Sequence, residues 1–322
     1  MVKVGRDAKL AGGLGNGSAD SLADGSAGGT GGALGLAPTR TRAKMWTLMV
    51  NHANFADFVV TPSEHFGRKL EHYGVSKPIT VISNGISDEM VAQFDRGWTA
   101  DGAPTVGVRE MGEGETLRLF WNSRVSKEKR LLPILEALAL VKRPFELAVY
   151  GNGNQLRKAK RVARRLGLMG KSRVTGGSAG NGEPVAVKKV EFFGRVEYET
   201  LLEKMRDEHL AVVGSFGFDT QSMALLEAEA TGLPVLFIDP DMAEVVPAEG
   251  AVNVPLELNK KAARELWAAP TAEEIAGVID GIKAEDIEKM SRAMYENRGE
   301  VLESRQLTKM LALYKEAVVG VD

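Results

Sequence analysis

The stretch LRLFWNSRVSKEKRLLPILEALALVKRPFELAVYGNGN, residues 117–154, decides the fold. Its two apolar runs, LRLFW (117–121) and ELAVY (146–150), have the length of buried strands, while LLPILEALALV (131–141) between them reads as a helix. Two strands joined through a helix lie parallel, because antiparallel neighbours need only a short hairpin. Downstream, VEFF (190–193), LAVVG (210–214) and PVLFI (234–238) repeat the strand pattern, and QLRKAKRVARRLGL (155–168) supplies another helix. Near-continuous apolar strands alternating with helices predict an α/β fold, a parallel sheet covered on both faces.

Upstream lies a smaller unit of the same kind. DFVV (57–60) and ITVI (79–82) flank SEHFGRKLEHYG, whose Phe66, Leu70 and Tyr73 recur at helical spacing, with Ser63 expected as N-cap and Gly74 as stop. PTRTRAKMWTLMV (38–50) leads into a further helix reaching to about Phe55. Residues 1–40 hold 11 of the 36 glycines and no apolar cluster that could offset ordering entropy, so they are expected to be disordered. Ser87 to Gly114 shows little periodicity and reads as linker; 169–189, rich in glycine and serine, reads as a surface insertion. Beyond Pro270 the chain becomes helical, opened by Thr271 with Glu274 at capping-box spacing. Leu302, Leu307, Met310, Leu311 and Tyr314 predict a last amphipathic helix, packed on one domain or bridging two. The expected divisions are 1–40, 41–95, a linker at 96–115, 116–265 and 266–322.

Lysine plus arginine (41) nearly balance aspartate plus glutamate (43), so no global field recruits nucleic acid. Cysteine is absent, which excludes disulfides and thiolate chemistry. Four histidines without an H-x-x-x-H pattern argue against a zinc enzyme, and metal-free chemistry without a cofactor is expected. The opening residues lack a secretory apolar core and no run reaches the length of a membrane span, so cytoplasmic residence is expected. The charged face of LRKAKRVARR reads as solvated opposite Leu156, Val162 and Leu166. TRTRAKMWTLMV, with Trp46 among cations, is the better candidate for peripheral contact at the inner membrane face.

Four segments in order carry a family resemblance: VVTPSEHFGRKLEHYGVSKPITVISNGI (59–86), WNSRVSKEKRLLPILEALAL (121–140), AVYGNGNQLRK (148–158), and FFGRVEYETLL (192–202) followed by FDTQSMALLEAEATGLPV (218–235). The chain resembles glycosyltransferase family 4, retaining enzymes of the GT-B fold with two Rossmann-like domains facing a cleft. The resemblance implies a Rossmann-like donor domain, the C-terminal half of a GT-B fold, with C-terminal helices. It begins only near residue 41, so it also implies a truncated N-terminal Rossmann-like portion, with most of the acceptor domain missing.

The same resemblance implies roles. Arg124 and Lys129, in the turn after the first strand of the donor domain, stand where the family's diphosphate-binding Arg and Lys stand; Lys129 is preferred to Lys127 on spacing. Fixed cations there stabilise charge developing on the leaving diphosphate. Gly151 and Gly153 form the turn beside the donor, and tight turning alone also accounts for them. Gly194 and Val196 lie in the segment whose backbone meets the nucleotide base. The family's E-x7-E motif is present with Asp219 first and Glu227 second. Glu227 would accept from the ribose hydroxyls, Asp219 would meet the transferred sugar, and the amides near Ser222 and Met223 would face the distal phosphate. The plainer reading makes Asp219 and Ser222 caps of a buried helix. Ser123 and Arg130 replace glycines common in the family, and Asp219 is one methylene short.

The implied partners are a nucleotide-sugar donor and a glycan or lipid acceptor, in cell-envelope polysaccharide or glycolipid synthesis. The leading expectation is a retaining glycosyltransferase of hexosyltransferase type. Alternatives are a catalytically silent nucleotide-sugar-binding module, one half of a two-chain enzyme, and, ranked last, an epimerase or phosphorylase of the same fold.

Overall fold

The computed structural model describes residues 40–94, 97–98, 104–105, 107–169, 187–254 and 269–319. The disorder expected for 1–40 falls almost wholly outside these residues, as does the insertion expected at 169–189 apart from its ends.

The first unit runs α1 (Arg40–Asn54), β1 (Val59–Thr61), α2 (Glu64–His72) and β2 (Ile79–Val81), with β1 and β2 parallel. Val50, Ala53, Val59, Leu70 and Val75 form its buried core, and Trp46 stacks on Tyr73 at 3.8 Å. Ser63 holds the N-cap position of α2 in extended backbone, yet its hydroxyl makes no cap bond. It donates instead to the carbonyl of Thr220, so a distant partner displaces the local one.

Where linker was read, the chain forms α3 (Asp88–Phe94) and a small antiparallel pair, β3 (Gly97–Trp98) with β4 (Pro104–Thr105). Arg109 follows and is buried. Its guanidinium donates to the carbonyls of Gly107, Met205 and Thr231, the last being the residue that ends a helix described below. A cation at that end meets the negative pole of the helix dipole. Burial pulls the Arg109 pKa down to about 10, which leaves it charged at neutral pH.

The large unit contains β5 (Leu117–Asn122), α4 (Leu131–Leu140), β6 (Phe145–Tyr150), α5 (Leu156–Arg165), β7 (Lys188–Gly194), α6 (Tyr198–Met205), β8 (Leu210–Val213), α7 (Met223–Ala230), β9 (Val235–Phe237) and β10 (Ala251–Asn253). Six parallel strands form one sheet in the order β10-β9-β8-β5-β6-β7. Along β5 the period of two sorts side chains between two cores: Leu117, Leu119 and Trp121 join the cluster under α4, while Phe120 joins the cluster under α6 and α7. From β5 the chain builds outward through β6 and β7, then returns to β8 on the other side. Loops after β5 and β8 therefore diverge and open a crevice, the switch point of a doubly wound sheet.

The chain closes with α8 (Ala272–Gly281), α9 (Ala284–Asn297) and α10 (Glu303–Val319). Thr271 and Glu274 form the expected reciprocal cap, at 3.2 Å and 2.6 Å. α8 places Ile275 and Ile279 against the α4 cluster. α10 returns to the first unit: Ile86 pairs with Leu302, and the Asp88 carboxylate accepts from the backbone and hydroxyl of Ser304. Leu302, Met310 and Tyr314 are partly buried, but Leu307 and Leu311 are exposed, so the expected stripe packs only in part among the described residues.

On α7, Glu229 is buried with one carboxyl oxygen accepting from Asn297 at 2.6 Å and the other unpartnered. Desolvation pushes its pKa up to about 8. A folded pKa above the unfolded one stabilises fully below about pH 4.5, and that contribution is lost as pH rises to about 8. Glu229→Gln, which cannot ionise, should therefore gain on the native chain by roughly 1.4 kcal/mol per pH unit across that window. Urea melts at pH 5, 6.5 and 8 measure the difference; a pH-independent difference would contradict it.

Candidate active site

At the crevice lies an open cleft of about 650 Å³. Asn122, Ser123 and Arg124 line it from the end of β5, Tyr150, Gly151 and Asn152 from the end of β6, Val196 and Tyr198 from the start of α6, and Gln221, Ser222, Met223 and Glu227 from the start of α7. Lys129 completes the wall. Seven of the ten sequence-derived site residues thus share one cavity: Arg124, Lys129, Gly151, Val196, Ser222, Met223 and Glu227.

Gly153, Gly194 and Asp219 stand just behind it. A Cβ on Gly153 would lie 2.3 Å from the Val125 carbonyl oxygen, and one on Gly151 would lie 1.9 Å from that of Ser123. Backbone bonds stitch the two turns together, Val125 N–H to Asn152 and Gln155 N–H to Val125, both 2.9 Å. The glycines therefore let one turn lie directly on the other. Gly151 also has φ +125° and donates to the Gly194 carbonyl at 2.6 Å, which ties in the edge strand β7.

The departures from the family pattern separate here. Ser123 lines the cleft, whereas Arg130 does not. Arg130 takes left-handed backbone, φ 55°, where glycine would be unstrained, and caps α4 without a side-chain bond. Lys127 is exposed and outside the lining, so the geometry favours Lys129 as the inward cation. Asp219 receives Lys129 Nζ on both carboxylate oxygens, at 2.7 and 2.8 Å, and its side chain is only 8% exposed. Arg124 is two-thirds exposed, with Glu128 at 3.6 Å as a loose partner.

Glu227 projects from the first turns of α7 into the cleft while remaining buried. Asn122 donates to it at 2.5 Å, and Tyr198 hydrogen-bonds to it as well. Desolvation outweighs both bonds and lifts its pKa to about 7. The nearby carboxyl and burial together push the Tyr198 phenol upward, so it remains a donor. Asn122 and Tyr198 escaped the sequence reading, although each sits beside a residue it singled out. The available signal was position: Asn122 ends the strand LRLFWN and Tyr198 opens the helix after FFGRV. Among the described residues, no group of three or more His, Asp or Glu is placed to hold a metal ion. No helix among them is long and apolar enough to cross a membrane.

Comparison with known proteins follows the same outline. Residues 116–269, just under half of the chain, match the family model described as glycosyl transferases group 1. No curated protein matches by sequence. Among solved structures, HepE of Anabaena in complex with UDP and glucose is similar with a TM-score of 0.59 and 15% identity, over 85% of this chain and 67% of that one. TarM of S. aureus is similar at 0.58 and 15%, over 84% and 46%; the pneumococcal O-GlcNAc transferase GtfA at 0.56 and 14%, over 85% and 48%. The fold is therefore that of GT-B glycosyltransferases, and this chain spans about two thirds of HepE and less than half of TarM and GtfA.

Gly151→Ala tests the stacked turns. Added bulk against a backbone oxygen in left-handed geometry should destabilise by at least about 2 kcal/mol. It should also abolish protection of the Val125 amide in hydrogen exchange; a variant as stable and protected as the native chain would refute the stacking.

Proposed function

We propose that the cleft binds a nucleoside-diphosphate sugar and that the chain serves a retaining glycosyltransferase of hexosyltransferase type, acting on a glycan or lipid acceptor. The observation that carries this reading is one cavity at the sheet's switch point lined by a buried carboxyl, Glu227, and by the cationic side chains Arg124 and Lys129. A carboxylate accepts both hydroxyls of a ribose, and cations suit a diphosphate. HepE crystallised with UDP and glucose supports the same assignment by likeness of fold.

In this reading Glu227 holds the ribose, with Asn122 and Tyr198 setting the orientation of its carboxyl. Main chain around Gly194 and Val196 meets the base. Arg124, Lys129 and the first amides of α7, at Ser222 and Met223, draw the diphosphate. These groups are positive before the sugar bond breaks and become better matched as the leaving charge grows. A helix start adds its dipole and its unpaired N–H groups. Asp219 differs from its expected part: it neutralises Lys129 in this structure, so diphosphate must compete for that ammonium before the carboxylate can turn to the sugar. No cofactor or metal ligand is part of the reading. The acceptor belongs to cell-envelope glycolipid or polysaccharide synthesis, met from the cytoplasmic side, with α1 at the inner membrane face. The divisions 41–95, 96–115, 116–265 and 266–322 correspond in this proposal to an acceptor-side portion, a strap, the donor domain and the closing helices.

The Lys129–Asp219 pair favours one other reading, a nucleotide-sugar-binding module without turnover, in which the ammonium is never released. Radiolabelled donor sugars with lipid and glycan acceptors separate the two, since any transfer excludes silence.

Calorimetry with UDP and GDP tests the shared core. Glu227→Ala and Arg124→Ala should each weaken nucleotide binding by about 1–3 kcal/mol, and a folded native sample that binds neither nucleotide sinks the proposal. Binding also has a pH signature. Glu227 is mostly neutral below about pH 7 and must ionise to accept from both ribose hydroxyls, so affinity should rise with pH up to about 7 and then level off. At pH 6, binding should release a proton, visible as buffer-dependent heats, and Glu227→Gln should lose that release.

A further inference from the structure

The loop from Gly217 to Ser222 leads into the first turn of α7, the turn assigned above to the distal phosphate. It is held at consecutive positions. Asp239, buried in the sheet unit, accepts from the Gly217 amide at 2.6 Å. The Asp219 and Thr220 carbonyls and the Gln221 side chain are held by the first unit and the turn after β2. His65 Nε2 lies 3.3 Å from the Asp219 carbonyl, the Ser63 hydroxyl donates to the Thr220 carbonyl, and Gln221 Oε1 accepts from the Asn84 amide and side chain at 2.9 and 2.8 Å. Gln221 also donates to the Ser83 hydroxyl at 2.8 Å.

His65 is itself immobilised. Its side chain is 8% exposed, and Glu244 Oε1 accepts from both its backbone amide, at 3.0 Å, and Nδ1, at 2.9 Å. With Nδ1 committed to Glu244, the imidazole edge carrying Nε2 is fixed on the Asp219 main chain. Asp219 in turn carries Lys129 on its carboxylate. The order of contacts is therefore Glu244, His65, Asp219, Lys129, ending at the cleft wall.

We propose that His65, with Ser63, is a positioning residue for the diphosphate end of the cleft: the first unit acts as a splint that fixes the 219–222 loop and, through it, Lys129 and the start of α7. This rests on the nucleotide reading for its ligand but not for its geometry. Among the described residues, no hydrogen bond from Ser63 or His65 reaches the ribose end, where Glu227 on α7 meets Asn122 of β5 and Tyr198 of α6. Loss of the splint thus affects one end of the nucleotide and spares the other. A merely structural anchor would affect both ends or neither.

His65→Phe keeps the ring and removes the Nδ1 bond to Glu244 and the Nε2 contact with the Asp219 carbonyl; Ser63→Ala removes one hydroxyl and guards against a folding failure in the first. Hydrogen exchange on the ligand-free full chain should show residues 217–224 exchanging about tenfold faster in each variant, with β5 and β6 unchanged. Calorimetry with UDP, GDP and their monophosphates should show monophosphate affinity within about twofold of native, and the preference for diphosphate over monophosphate reduced about tenfold. Unchanged exchange at 217–224 in both variants overturns the splint. Equal losses for mono- and diphosphate, or a native chain without preference between them, overturn its assignment to the diphosphate end. A native chain that binds no nucleotide refutes the nucleotide reading, while the exchange data still decide the splint.

Discussion

The structure depends on β5 having parallel partners on both sides. A parallel strand cannot be closed by a hairpin, so each neighbour must be reached through a crossover lying on a sheet face. Having built β6 and β7 on one side, the chain must cross back to place β8 on the other. The two loops leaving β5 and β8 at the same sheet edge then part, and what lies between them cannot be filled by either. The cleft is a consequence of strand order before any side chain is considered. Its residues occupy the ends of elements because only ends reach that edge, which is why one short turn after β5 supplies Asn122, Ser123, Arg124 and Lys129 together.

Electrostatics at the cleft is arranged as two separate bargains with burial. At one end, Glu227 is buried with Asn122 and Tyr198 beside its carboxyl, and desolvation lifts its pKa to about 7. At the other, Lys129 is neutralised by Asp219 in a mostly buried pair. Removing one member would leave an uncompensated charge, so the pair keeps the empty cleft stable while masking the cation. A short side chain on the 219–222 loop suits this geometry: the Asp219 carboxylate meets the Lys129 ammonium with both oxygens.

How far the sequence carried follows from what each inference needed. Strands β5, β6, β8 and β9 are apolar runs between turns, and periodicity alone reveals them. Three-residue β10, AVN, has no such run; it is a strand because β9 presents an edge to it. α3 was invisible for a similar reason, since Met90 and Val91 find their apolar partners in the α7 region rather than along their own helix. In the site, residue types tied to a motif were legible: Glu227 and Lys129 could be placed by spacing from neighbours. Asn122 and Tyr198 could not, because their importance lies in a meeting of three elements at Glu227. Ser63 shows the limit most clearly. Local rules made it a cap, and it does occupy the cap position, but its hydroxyl reaches a carbonyl 157 residues away.

That displaced bond bears on why the first unit is present at all. Two short parallel strands and their helices bury a small core, and an isolated pair of strands is marginal in water. Its stability must be shared with the rest of the chain through two attachments: Ser63, His65, Ser83 and Asn84 to the 219–222 loop, and Ile86 and Asp88 to the start of α10. The second attachment also buries Ile86 with Val91, Leu226, Ala230 and Val301, whereas the first consists of polar, directional hydrogen bonds. Such contacts contribute modest net stability, about 1 kcal/mol each, but they fix orientation sharply because hydrogen bonds weaken steeply off axis. A unit joined in this way is suited to setting the position of a loop rather than to bearing load. The position of the first unit and that of the 219–222 loop at the cleft wall are therefore coupled through those bonds.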